Sequence, residues 1–280
     1  MHSKEHAVLT HFLQKRQKNF PMKIKQYIVD AFTDRVFFGN PAAICILEDK
    51  IPDDLMQKIA MENNFSETAF VTKNGNKHNL RWFTPKCEID LCGHATLAAS
   101  FVIMNCFNET NKKVIFDTKG GILEVCYSNG IYKMDFPAYE LEPVKITEEI
   151  IEAIGKKPKE IFLGRDLLCI FENEKEIYET ALDLNKVKEL KGLLLHISAK
   201  GKDFDCVSRT FAPKCNVDED PVCGSGHCHI VPYWAKKLNK NNITAYQASR
   251  RGGIIYSELN GNRVILGGKA ALFSEGYIYI

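Results

Sequence analysis

Apolar and polar positions along the chain alternate in short runs separated by turn signals. "ETAFVTK", "LRWFT", "GLLLHISA" and "DCVSRTFAP" carry β-branched and aromatic residues with a period near two, which predicts strands. "PDDLMQKIAMENN" and "DLNKVKELKG" open on proline or acidic residues suited to a first helical turn, and predict helices. "HATLAASFVIMNCF" is apolar nearly all round, the mark of a helix buried on every side; "HCHIVPYWAKKLN" predicts a second. Asn129-Gly130 and Asn260-Gly261 each sit between two β-type runs and predict hairpin turns.

These elements occur twice. "RWFTPKCEIDLCGH" from Arg81 is matched by "RTFAPKCNVDEDPVCGSGH" from Arg209, an offset of 128 residues that grows to 131 between Cys92 and Cys223. The second copy therefore holds three extra residues, which the alignment puts within Glu219–Val222. Upstream, "FFGNPAAICIL" matches "FLGRDLLCIF", with Gly39 and Gly164 at an offset of 125. The repeat predicts a duplicated α+β fold with a pseudo-twofold axis, each half a set of strands around a central helix. The expected division is an extension at 1–21, a first domain at 22–138 and a second at 139–280, with a linker near Pro137–Thr147. The last strand is free to pack on the first domain. Shared packing explains Phe83/Phe211, Cys87/Cys215 and Ile89/Val217 as paired core positions. It explains less well why each copy keeps a glycine at a helix start. Such a start points unpaired N–H groups outward and carries about half a positive charge, so two of them across a cleft would hold a small carboxylate.

Composition narrows the classes. The 280 residues are 45% hydrophobic and 26% charged, with a net charge of +2. No cluster of Lys and Arg interleaves with aromatics, which argues against a nucleic-acid partner. No apolar run approaches the 18 or so residues of a membrane span. The first 21 residues lack the apolar core of a secretory signal and read as an extension ahead of a start at Met22, so a cytoplasmic protein is expected. Ten cysteines without a secretory context predict thiols rather than disulfides. Cys45, Cys106, Cys126, Cys169 and Cys206 are expected in the core. Cys92 and Cys223 stand apart, because each precedes a glycine at the matched place of the repeat.

Three constellations of chemistry compete. Cys92 and Cys223 form a two-thiol pair; a thiolate at a helix start has a lowered pKa and can act as a base. Glu67, His94 and Asp220 form an acid–base set. Cys223, His227, Cys228 and His229 offer metal-ligand types. Adjacent helical residues cannot all face one ion, however, and no pair of C-x₂-C knuckles is present, so no metal site is expected.

Seven motifs in order, "NPAAIC", "NNFSETAFV", "LRWFTP", "DLCGHATLAAS", "GGILEV", "DEDPVCGSGH" and "QASRRGG", resemble the PhzF-like phenazine-biosynthesis isomerase family of the diaminopimelate-epimerase-like fold. The resemblance covers about Met22 to Ile280. It implies two similar domains, each a barrel-like sheet around a central helix, with the site between them, no cofactor, no metal and a homodimer. It implies that Glu67, in the S-E-T motif, is the catalytic acid/base and that His94 and Asp220 are its partners. Gly93, Gly224 and Ser225 would line the substrate, and Ser66 would contact it. Related epimerases and proline racemases use two cysteines at the places of Cys92 and Cys223. The phenazine-type branch commonly has Thr at the second, so Cys223 is a departure. The resulting expectation is a cofactor-independent isomerase of a small carboxylate metabolite, with the pKa of Glu67 raised toward neutrality by burial. The alternatives are a two-cysteine epimerase and a non-catalytic ligand-binding protein of the same fold.

Overall fold

The structure, a computed structural model, describes residues 22–107 and 112–280; the extension at 1–21 lies outside the described residues. The architecture is mixed α/β. Eighteen strands among the described residues are linked by pairing into one continuous network, with few helices. None of the described helices is long and apolar enough to cross a membrane.

Local chemistry sets the elements. The helix Asp53–Asn63 begins after Pro52 with two acidic residues in its first turn and ends where Asn64 turns left-handed at φ 51°. The helix Leu184–Glu189 is capped by Asp183, whose carboxylate accepts from the N–H groups of Asn185 and Lys186. The helix Gly93–Cys106 buries nine of its residues, and its hydroxyls are absorbed internally: Thr96 donates to the Cys92 carbonyl and Ser100 to that of Thr96. Its counterpart, Gly224–Leu238, is also mostly buried and carries Pro232 in its interior. One core cluster contains residues of both helices, including Leu97, Val102, Ile230 and Trp234. Two smaller clusters lie beneath the flanking helices, around Met56 and Phe70 and around Ile154 and Ile177.

The order and sense of strand pairing are the same in the two halves. In the first, Lys23–Ala31 pairs antiparallel with Asn40–Leu47, which runs parallel to Thr68–Asn74, itself antiparallel to Lys77–Phe83 and then parallel to Lys113–Thr118. In the second, Glu160–Leu163, Leu167–Ile170, Leu195–Lys200, Cys206–Ala212 and Asn242–Gln247 repeat that antiparallel, parallel, antiparallel, parallel series. Two pairings join the halves. Ile131–Pro137 lies antiparallel to Arg263–Gly268, and Lys23–Ala31 lies antiparallel to the last strand, Ala270–Tyr279.

Four readings of the sequence change. The three extra residues of the second copy lie upstream of the expected place. Trp82 faces Ile89 where Thr210 faces Asp220, and the ion pair Arg81–Glu88 has its match in Arg209–Glu219. The offset is thus already 131 at Glu219, and the insertion falls after Cys215, in the turn left-handed at Asn216. The second hairpin is shifted by one residue: Asn260 still pairs with Arg263, so Gly261 and Asn262 make the turn, with Gly261 at φ 59°. By contrast Asn129 and Gly130 are both left-handed, at φ 52° and 79°, as a type I′ turn requires. Finally, Cys126 is exposed and Cys106 half-buried, because alternation along the strand Gly121–Ser128 turns Val125 inward and its neighbour out. Cys87 and Cys215 are also exposed, since each sits in the turn after its strand rather than in the core.

Candidate active site

Both long helices begin at the same place in space. A Cβ built on Gly93 would lie 4.0 Å from the Gly224 Cα, and one on Gly224 equally close to the Gly93 Cα. Around this seam lies a cavity of about 200 Å³, lined among others by Glu67, Cys92, Gly93, His94, Asp220, Cys223, Gly224 and Ser225. Eight of the nine residues singled out in the sequence thus line one cavity. The ninth, Ser66, stands behind it, its Oγ 3.4 Å from His94 Nε2. Size does not single the cavity out. A groove of about 640 Å³ lies elsewhere, but its Arg81 is already paired with Asp53 and Glu88.

Each side chain is placed by a short local device. Glu67 follows the left-handed turn at Asn64 and directly precedes the strand Thr68–Asn74; its carbonyl accepts from Ala43 N–H, tying it to the neighbouring strand. His94 follows Gly93 in the first turn of its helix. Asp220 ends the strand Val217–Asp220. Its Oδ1 accepts from Asn40 Nδ2 at 2.8 Å and from Val222 N–H at 3.2 Å, while its carbonyl accepts from Gln247. Cys223 caps the second helix, its sulfur accepting from Gly226 N–H at 3.3 Å with Ser225 Oγ at 3.5 Å.

Glu67 Oε2 lies 3.1 Å from His94 Nε2, both side chains being largely buried. No aligned hydrogen bond ends on this buried oxygen, so its charge is met by His94 through the ion pair alone. Burial alone lifts a carboxyl, but the His94 imidazole outweighs it and holds Glu67 below its ordinary value. The expectation of a Glu67 raised toward neutrality is therefore corrected. Burial works against a charge on His94, yet Cys92 and Glu67 on its two sides carry it well above its ordinary range. Burial, with the nearby Glu67 charge, pushes the Cys92 thiol up, so the carboxylate is the histidine's counter-ion. Asp220 behaves oppositely to Glu67: burial raises it, and the Glu67 charge adds to the rise against the pull of His94. The two carboxyls are driven apart, one toward the anion and one toward the acid.

Cys223 is also pushed well up, by burial and by Asp220. The expectation that a helix start lowers these thiols is corrected for both cysteines: desolvation and an adjacent carboxylate exceed the helix effect. The metal-type run spreads around its helix. His227 Nδ1 donates to the Cys223 carbonyl, Cys228 Sγ to that of Gly224, and His229 Nδ1 to that of Ser225. Two other sets bring ligand atoms within 4.8 Å of one another: Glu67, Cys92 and His94, and Asp166, His196 and His229. In the second set all four ring nitrogens have protein partners, on Thr210, Asp166 Oδ2, Ser225 and Asp166 N–H.

Asn40 and Arg165 were not singled out in the sequence. Arg165 lines the cavity and donates to Ser225 Oγ at 3.0 Å. A signal for both was available, since they follow Gly39 and Gly164 and are matched positions of the repeat.

The curated relatives make this an isomerase-class protein, and the solved structures give it an epimerase-like fold. A crystal structure of a phenazine biosynthesis protein of the PhzF family from Enterococcus faecalis superposes with a TM-score of 0.91 at 46% identity, over 92% of this chain and 100% of that one. An uncharacterized isomerase of Pseudomonas aeruginosa is 40% identical over 259 residues, which is 92% of this chain and all of the relative. A hydroxyproline epimerase from Agrobacterium vitis shares the fold, with a TM-score of 0.59 at 10% identity over 93% of each chain. The profile of the phenazine biosynthesis-like (PhzC-PhzF) family matches residues 29–276, and the chain belongs to that family.

Proposed function

We propose that this chain is a cofactor-independent isomerase of a small carboxylate metabolite, with Glu67 as the group that takes and returns the proton. The observation carrying this reading is the Glu67–His94 pair in one cavity at the meeting of two helix starts. In the resting site Glu67 is an anion and therefore a base. A substrate group that accepts from His94 Nε2 draws the imidazole away, and burial then lifts the glutamate toward the pKa that proton abstraction needs. The C–H bond of an activated carbon breaks, its electron pair passes into the adjoining conjugated system, and the proton rests on Glu67 Oε2. Returning it to another carbon on the same face completes the isomerisation with no net change in atoms or electrons. The N–H groups at Gly93 and Gly224 stabilise the developing negative charge, and Asp220, biased toward its protonated form, donates to an oxygen or nitrogen of the substrate. The matched pairing order of the two halves supports a duplicated two-domain scaffold for this arrangement.

A two-cysteine epimerisation remains the second reading, because Cys92 and Cys223 both line the cavity at matched helix starts. Their raised pKa values weigh against thiolate bases. The test is exchange of deuterium into a panel of small amino, hydroxy and cyclic unsaturated acids in heavy water. Glu67→Gln should lower exchange by roughly 10²–10⁴-fold, with Cys92→Ala and Cys223→Ser mild. An active Glu67→Gln enzyme beside a dead Cys223→Ser enzyme would establish the thiol reading instead.

A further inference from the structure

We propose that Arg165 is the residue that receives the carboxylate of the bound molecule; as a substrate contact, this rests on the isomerase reading above. Arg165 is the one Arg or Lys among the described residues lining the cavity. It sits in the tight link between the strands Glu160–Leu163 and Leu167–Ile170. Gly164 before it is packed so closely that a Cβ there would meet the Glu140 carbonyl at 2.7 Å and the His229 ring at 3.2 Å. The arginine therefore leaves the sheet from a fixed point.

Its guanidinium is held from behind by an anchor with no access to solvent. Asp166 is fully buried and accepts from Arg165 Nε at 3.0 Å and Nη2 at 2.6 Å. Asp166 is itself fixed by His196 Nε2 and by Leu194 N–H, and its own N–H donates to His229. Burial opposes the charge on Asp166, but His196 and Arg165 hold it far below its ordinary range, so this anchor stays ionised. On the cavity side the arrangement is different. There the guanidinium lies over the Tyr139 ring, 5.0 Å from its centre, and its partners are two neutral hydroxyls, Tyr139 at 3.2 Å and Ser225 at 3.0 Å.

Of the five N–H groups of an arginine, four have these acceptors, and the fifth, on Nη1, has none among the described residues. A planar fork with its strong acceptor buried and only weak ones toward the cavity is prepared for an incoming carboxylate, which replaces two hydroxyls with charged oxygens. The other carboxylates in the cavity already have partners: Glu67 is matched by His94, and Asp220 Oδ1 accepts from Asn40 Nδ2 and Val222 N–H. The N–H groups of the two helix starts lie beside it as further donors. The duplication points the same way. Asn40, at the position matched to Arg165, spends its Nδ2 on Asp220 and the Val222 carbonyl, so only one of the two matched positions supplies a cation.

The probe pair is benzoate and its neutral counterpart benzamide, titrated by NMR into wild type, Arg165→Ala, Arg165→Lys and Glu67→Gln. Wild type should bind benzoate more tightly than benzamide. Arg165→Ala should lose benzoate affinity by roughly 10- to 100-fold while benzamide binding stays nearly constant. Arg165→Lys and added methylguanidinium should each restore part of the difference. A folded Arg165→Ala variant that binds benzoate like wild type overturns the proposal, as does a wild type that does not prefer benzoate. If the alanine variant fails to fold, Arg165→Gln, which keeps donors toward Tyr139 and Ser225 without the charge, is read by the same two criteria. Arg165-dependent benzoate binding without Glu67-dependent deuterium exchange would leave the anion site standing and remove the isomerase reading; the converse result would do the reverse.

Discussion

Glu67 owes its charge mainly to one neighbour, His94, and Glu67 is in turn one of the two groups that hold that neighbour charged. The pair can therefore be tested from either side. In Glu67→Gln the burial of His94 remains while its counter-ion is gone, so the imidazole should titrate well below its wild-type value, as read from its ring resonances. The dependence of stability on pH has a sign for each partner. The folded pKa of Glu67 lies below its ordinary 4.5, so its contribution is present above that value and is lost as pH falls through the folded value. The folded pKa of His94 lies above 6.5, so its contribution is complete below 6.5 and is lost as pH rises through the folded value. The pair is at full strength between 4.5 and 6.5. Denaturant unfolding of wild type and Glu67→Gln should show their stability difference falling as pH rises above 6.5 through the folded value of His94. A difference independent of pH would mean that the two groups are not coupled. That Glu67, His94 and Asp220 line one cavity was legible because their motifs stand intact in the chain. The direction of the Glu67 shift was not, because it depends on a 3.1 Å approach between residues 27 apart in sequence. Arg165 was legible only as a repeat position; its buried anchor is assembled from Asp166, His196 and His229, which no local motif joins.

At the scale of elements, glycines that look alike in sequence do different jobs. Gly39 sits at φ 66°, and a Cβ there would be 2.1 Å from the Ala31 carbonyl oxygen. Gly39→Ala must push the first two strands apart just where Asn40 reaches Asp220. It should cost roughly 1–3 kcal/mol in conformational strain alone, with the added clash lowering the thermal midpoint further. At the helix starts of Gly93 and Gly224, a Cβ would meet its neighbours only at ordinary contact distances, 3.8 to 4.0 Å. Gly93→Ala and Gly224→Ala should therefore fold with midpoints close to wild type, which thermal unfolding will read directly. Most element types were legible because period and turn residues agreed with one another. The misplacements followed from looking along one strand at a time. A two-residue shift of ladder register separates Asn260-Gly261 from the true turn, and the pairing of Thr210 with Asp220 and the ion pair Arg209–Glu219 reveal where the second copy gained its three residues.

Across the whole molecule, the halves are sewn together rather than merely abutted. Ile131–Pro137 pairs with Arg263–Gly268, and Lys23–Ala31 pairs with Ala270–Tyr279. Calorimetry should accordingly show one cooperative transition, with the calorimetric and van't Hoff enthalpies equal, in place of two separate domain transitions. Two resolved transitions would mean that these pairings contribute little to cooperativity. Removing residues 270–280 should convert the enzyme into an aggregating species, because it bares one whole edge of Lys23–Ala31. That the final strand could pack on the first half was legible in the sequence, but its register against Lys23–Ala31 was not, since β-type residues do not name their partners. That pairing has a consequence in time. The first strand leaves the ribosome with a neighbour, Asn40–Leu47, ready on one side, whereas its other neighbour, Ala270–Tyr279, is made far later. Lys25 meets Glu275, 250 residues later, only when that strand has emerged. Until then the nascent first half carries an open edge, and its hold on the native arrangement is provisional.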